Sequence, residues 1–128
     1  MISERGAVQM DQQEILVQSL VDIAAEAWRF KGVFGRMLTK VEPHEAARYA
    51  NQYAYFQKKV ESSLEAAGLR MVSLEGEPFD PGMAVTPLNI DDFDEDDDLV
   101  IEQMIEPVLM NGGAVRRTGV VILGRMEK

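Results

Sequence analysis

Leu64-Glu65-Ala66-Ala67-Gly68-Leu69-Arg70-Met71-Val72 is the stretch on which the fold turns. Before Gly68, apolar residues recur at helical intervals: Tyr49, Tyr53, Phe56, Val60, Leu64 and Ala67 step by three or four and line one helix face. Gly68 stands where a left-handed residue closes such a helix, with Leu69 placed for the accompanying apolar contact. After Gly68 the texture changes. Prolines at 78, 81, 87 and 107 and glycines at 76, 82, 112, 113, 119 and 124 rule out long helices. A helical half is therefore followed by a β half.

Working upstream, Lys40-Val41-Glu42-Pro43 breaks the helical pattern, and Pro43 suits the first turn of a second helix running to about Ala67. Ahead of the break, Ile15, Leu16, Leu20, Ile23, Ala24, Ala27 and Trp28 share one face of a first helix. Asp11 is its expected N-cap, with Glu14 completing a capping-box pattern, and residues 1 to 10 are expected as a frayed tail. The helix continues through Phe30, Phe34, Met37 and Leu38. Gly32 and Gly35 weaken it by about 1 kcal/mol each relative to alanine. Its broad apolar face calls for more than one neighbour. Two helices joined by so short a turn pair antiparallel.

Downstream, β-type runs cover Leu69 to Leu74, Ala84 to Ile90, Leu99 to Met110 and Ala114 to Leu123. Asn111-Gly112 marks a hairpin between the last two runs. Pro107 implies an edge, a bulge or a split into two short strands. The expected fold class is α+β: a helical hairpin over residues 11–68, then a small, mainly antiparallel β head over residues 69–128. The stripes of the two helices exceed what one hairpin can hide. A four-helix-bundle homodimer is expected to bury Leu20, Ile23, Trp28, Tyr49, Tyr53, Phe56 and Val60. The competing arrangement is a monomer whose helices fold back on the β domain.

Chemistry is sparse. The chain of 128 residues has no cysteine, so thiolate nucleophiles, disulfides and zinc thiolate sites are excluded. Its single histidine, His44, sits at the start of the second helix, and no phosphate-loop or dinucleotide-binding glycine pattern occurs. Asp91-Asp92-Phe93-Asp94-Glu95-Asp96-Asp97-Asp98 holds seven acidic residues, so most of the net charge of −9 is local. An EF-hand reading that starts at Asp92 fails, because Asp97 replaces the required glycine and Gln103 the closing glutamate. A solvated loop is expected there, with no metal and no cofactor. The charge argues against nucleic acid. No apolar run is long enough for a membrane span, and no apolar signal region follows Met1, so a cytoplasmic protein is expected. The expectation is a protein-binding protein and not an enzyme.

Several segments of the β half carry a resemblance. Gly76-Glu77-Pro78-Phe79-Asp80-Pro81, Val100-Ile101-Glu102-Gln103-Met104 and the closing Asn111-Gly112-Gly113-Ala114-Val115-Arg116-Arg117-Thr118-Gly119-Val120-Val121 resemble, in order and spacing, the head of GrpE. GrpE is the nucleotide exchange factor of DnaK-type chaperones. Met83-Ala84-Val85 stands where that family has a short strand start, and Glu65-Ala66-Ala67-Gly68-Leu69 is similar to its exit from the last helix. The resemblance covers about half the chain closely and the helices by type.

The resemblance implies a dimer whose head binds the ATPase domain of a DnaK-type chaperone and releases ADP. Such a step needs no catalytic side chain, only tighter binding to the open cleft. By position it implies Met104, Arg116, Arg117 and Leu123 as partner-binding residues. Because neighbouring strand residues face opposite sides, at least one of the two arginines is expected to point outward. The sequence also departs from the family pattern. Gly113-Ala114 replaces an arginine after the hairpin glycine, Pro107-Val108 replaces Gly-Tyr, and the chain begins where the family's stalk helix is already ending. A protein-binding adaptor that keeps the head without exchange activity is the alternative expectation.

Overall fold

The computed structural model describes residues 2–127, with side chains from Gln12 onward. Helix α1 runs Ile2–Leu38 and helix α2 Pro43–Ala66. The strands are β1 (Leu69–Val72), β2 (Val85–Pro87), β3 (Leu99–Glu106), β4 (Val108–Asn111), β5 (Ala114–Arg117) and β6 (Gly119–Arg125). The α+β class, with a helical hairpin followed by a β head, is as expected.

Local signals set most boundaries. Glu42 caps α2, its carboxylate accepting from the His44 backbone N–H at 3.2 Å, with Pro43 next in the first turn. At the other end Gly68 adopts φ +77°, and its N–H donates to the Glu65 carbonyl at 2.9 Å. Leu69 then packs into the same cluster as Leu64. The start of α1 corrects the sequence reading. The helix is already formed at Ile2, so Asp11 lies within it and is no N-cap; its side chain falls outside the described ones. Residues from Ile2 onward are helix where a tail was expected. At about 1.5 Å per residue, its 37 residues span some 55 Å.

The last two β runs form one bent hairpin shared between two sheets. Pro107, fully buried, separates β3 from β4 and makes the expected split. A second break, at Thr118, separates β5 from β6. The inner halves join β1 in a sheet ordered β1-β4-β5; the outer halves join β2 in a sheet ordered β2-β6-β3. Every pairing is antiparallel except β2 with β6, which is parallel. Gly119 sits at the crossover because nothing larger fits. A Cβ there would lie 2.7 Å from Met104 Cε and 3.0 Å from the Glu106 carbonyl. The tip turns on Gly112-Gly113, not Asn111-Gly112. Asn111 pairs with Ala114, and only Gly112 has positive φ (+61°), the pattern of a type II′ turn.

Alternation along β1 and β4 creates two cores. Leu69 and Leu109 join Val21, Ala24 and Leu64 beneath the helices, with Met71 at the margin. Val108, with Val72 and Met110 beside it, faces the other way, toward Ile101, Met104, Val121 and Leu123. The helices touch both sheets: α2 packs on β1 of the first, and α1 reaches β3 of the second. The helices and head share a core across the Gly68 junction.

Candidate functional site

Four residues were expected to face a partner, and the fold puts none of them in the open. Met104 and Leu123 are only 4% and 2% exposed, both inside the core of the second sheet. They are corrected to core residues. Met104 is a meeting point: its sulfur accepts from the Leu74 N–H at 2.9 Å, its own N–H donates to Glu75 Oε1 at 3.0 Å, and its carbonyl accepts from Trp28 Nε1 at 3.0 Å. Trp28, expected in a dimer interface, instead ties α1 to the head.

Arg116 and Arg117 both reach α1, against the expectation that alternation would turn one away. The reason is a β-bulge. Leu109 sits opposite Arg117 and Met110 opposite Val115, which leaves Arg116 as the extra residue and breaks the alternation. Arg116 pairs with Glu14 and lies near Gln18. Arg117 forks between Asp22 (2.9 Å) and Glu106 (2.6 Å), and Arg29 grips the second oxygen of Glu106 at 2.6 Å. Glu106 is the one buried charged residue among the described residues, and two guanidiniums satisfy both of its oxygens. A clue did exist in the sequence. Glu14, Gln18, Asp22 and Arg29 form a polar ridge at helical spacing beside the apolar stripe, a sign that this helix face meets charge.

Two surfaces remain available. On α1, Leu16, Ile23, Phe30 and Met37 follow one another every seven residues and are 65%, 64%, 49% and 55% exposed. Leu20, Ala27 and Phe34 lie between them, less exposed, and complete the alternating three-and-four pattern of a coiled-coil seam. Ile23 and Phe30 meet Phe56 of α2 around an apolar hollow of about 440 Å³. Of the residues expected to dimerise, Ile23 and Phe56 are exposed in it, Leu20 and Val60 border the core beside it, and Tyr49 is half-buried. Tyr53 serves the helix pair, stacking on Phe34 at 5.5 Å and donating from its hydroxyl to the Ala27 carbonyl; burial pushes its phenol above the ordinary tyrosine value.

On the head, the second sheet turns Val120 and Ile122 away from the core, both partly exposed, while Val121 and Leu123 point in. Ile122 stands opposite Gln103, and Glu102 lies across Gly124. This face combines apolar groups with the Gln103 amide and the Glu102 carboxylate. Among the described residues, no cluster of three or more metal-ligating side chains occurs, and no helix is long and apolar enough to cross a membrane. His44 stays exposed at the start of α2. Comparison with known protein families, curated proteins and solved structures finds no match.

Proposed function

We propose that this chain is a GrpE-like co-chaperone, which binds the ATPase domain of a DnaK-type chaperone and promotes ADP release. One observation supports the reading above the others: sequence segments that resemble the GrpE head, scattered over some forty residues, pack against one another. The Gly76 N–H donates to the Ile101 carbonyl at 2.8 Å, the Ile101 N–H to Glu77 at 2.9 Å, and the Phe79 N–H to Leu99 at 2.8 Å. Gly76–Pro81 thus runs alongside β3, which itself pairs with the closing strand β6. The chaperone-facing surface in this reading is the outward side of β6, around Ile122, and not the buried Met104 and Leu123.

The factor works in the cytoplasm as a homodimer, two copies meeting along the seven-residue ridge of α1 to build a four-helix bundle. Its action is a population shift: it binds the open cleft more tightly and so favours nucleotide loss. A second reading, an adaptor without exchange activity, gains from the ion pairs of Arg116 and Arg117 with α1, which leave both arginines engaged within the chain. Stopped-flow release of a fluorescent ADP analogue from a DnaK-type chaperone separates the two. Saturable acceleration by this protein, lost in Ile122→Asp, is the expected result. No acceleration by a folded protein moves the adaptor to first place.

A further inference from the structure

The acidic loop and the signature turn enclose a hollow of about 630 Å³ that neither the helices nor the outward side of β6 touches. Its floor is apolar: Phe79 from the turn, Phe93 from the loop, Leu99 at the start of β3 and Met126 after β6. The floor is held in place by backbone pairing. Phe79 bonds to Leu99 as described above, and the Met126 N–H donates to the Asp98 carbonyl at 2.9 Å. The acidic side is also folded. Asp97 and Asp94 bond each other reciprocally, the Asp97 N–H to the Asp94 carbonyl at 3.0 Å and the Asp94 N–H to Asp97 Oδ2 at 2.9 Å. Arg125 lies 5.2 Å from the Phe93 ring centre and 3.4 Å from Asp97.

That arrangement leaves charge over. Asp91, Asp94, Glu95 and Asp98 line the same hollow as Phe79 and Phe93, and none of the four forms a salt bridge among the described residues. Phe93 is half-buried against the head core and holds the acidic loop folded beside the hollow. A site with an apolar floor and a negative rim selects its occupant by chemistry. Apolar side chains fill the floor, lysine or arginine meets the rim, and polyanions such as nucleic acid or acidic lipid are repelled.

We infer that this hollow docks a basic, amphipathic peptide segment of another protein, with one large apolar side chain between Phe79 and Phe93 and flanking cations on Asp91, Asp94, Glu95 and Asp98. The inference does not rest on nucleotide exchange. It assigns the head a second surface, which an exchange factor or an adaptor would equally possess.

Fluorescence anisotropy with a labelled peptide that alternates lysine with leucine and phenylalanine tests this on the full chain. Neutralising the rim by Asp94→Asn with Glu95→Gln weakens binding by about tenfold, and Phe93→Ala weakens it by a similar factor. Amide NMR on the unmodified protein guards against loop damage in the variants: the peptide must shift Phe79, Phe93 and Met126 before residues of α1. The proposal is overturned if a lysine–glycine peptide of equal charge binds as well, since the loop would then act only as a polyanion. It also falls if no peptide binds, if calcium alone moves the same resonances, or if the peptide shifts α1 instead.

Discussion

The two long faces of α1 make an instructive contrast. The side toward the head is saturated: Val21, Ala24 and Ala25 are buried, Trp28 donates to the Met104 carbonyl, and Glu14, Asp22 and Arg29 each hold a charged partner on the β half. The side away from the head repeats Leu16, Ile23, Phe30 and Met37, all largely exposed, with Phe56 of α2 bordering Ile23 and Phe30. A surface helix normally inverts that arrangement, with charge on the wet side. Here small apolar residues, Trp28 and ion pairs secure the internal contact, while Leu16, Ile23, Phe30 and Met37 stay exposed. The fold-back of the helices on the head leaves the outer ridge of α1 exposed, so the proposed dimer along that ridge would not compete with it.

Four variants break or sharpen this contrast. The largest effect is expected from Ile23→Glu with Phe30→Glu. Unpaired charge in the seam raises the dimer dissociation constant about a thousandfold, roughly 4 kcal/mol, in sedimentation equilibrium. Helix content by circular dichroism stays the same, because both side chains are exposed in the single chain. A wild-type protein that is monomeric at about 100 µM would remove the outer seam altogether. On the inner face, Glu106→Gln deprives Arg29 and Arg117 of their shared anion. The expected loss is about 2 kcal/mol in urea unfolding, less than for a fully buried pair because both guanidiniums are partly wet.

Trp28→Phe keeps a ring against the head but removes the N–H to Met104, and about 1 kcal/mol should go with it. Arg116→Ala is the smallest. Its partner Glu14 is well exposed, so the change stays within about 0.5 kcal/mol. If Arg116→Ala cost as much as Glu106→Gln, the clamp would act as one unit rather than as a buried anchor with a wet fringe, and a double-mutant cycle would measure the coupling.

What the sequence made readable were features decided within a few neighbouring residues. Pro43, Gly68 and Pro107 each constrain their own backbone, so the start of α2, its end and the division of β3 from β4 could be anticipated. The seven-fold ridge also stands in the sequence as plain periodicity. The bulge at Arg116 does not, since it arises from how Leu109 and Met110 register against β5, and no local signal announces it. Met104 and Leu123 likewise read as ordinary strand residues; which face is inner depends on where the second sheet stacks. The break at Thr118 follows from Gly119 passing under Met104 and Glu106, a contact with a strand well over ten residues away. The start of α1 was missed for the opposite reason. A capping pattern at Asp11 was a local signal that the continuing helix overrode.

The hairpin that bends at Pro107 and Thr118 also dictates an order of events. β1 has only β4 to pair with, and β2 only β6, so both of the earlier strands must wait for the later hairpin. The Gly112-Gly113 tip closes the shortest loop in the head and is the natural nucleus. From there pairing zips outward through the crossover, and each sheet then recruits its waiting strand across a longer loop. The two sheets cannot mature separately, because one hairpin is the spine of both. A chain cut at Asn111 would keep β1 through β4 yet lose the strand that joins β2 to β3, so the second sheet would not form at all.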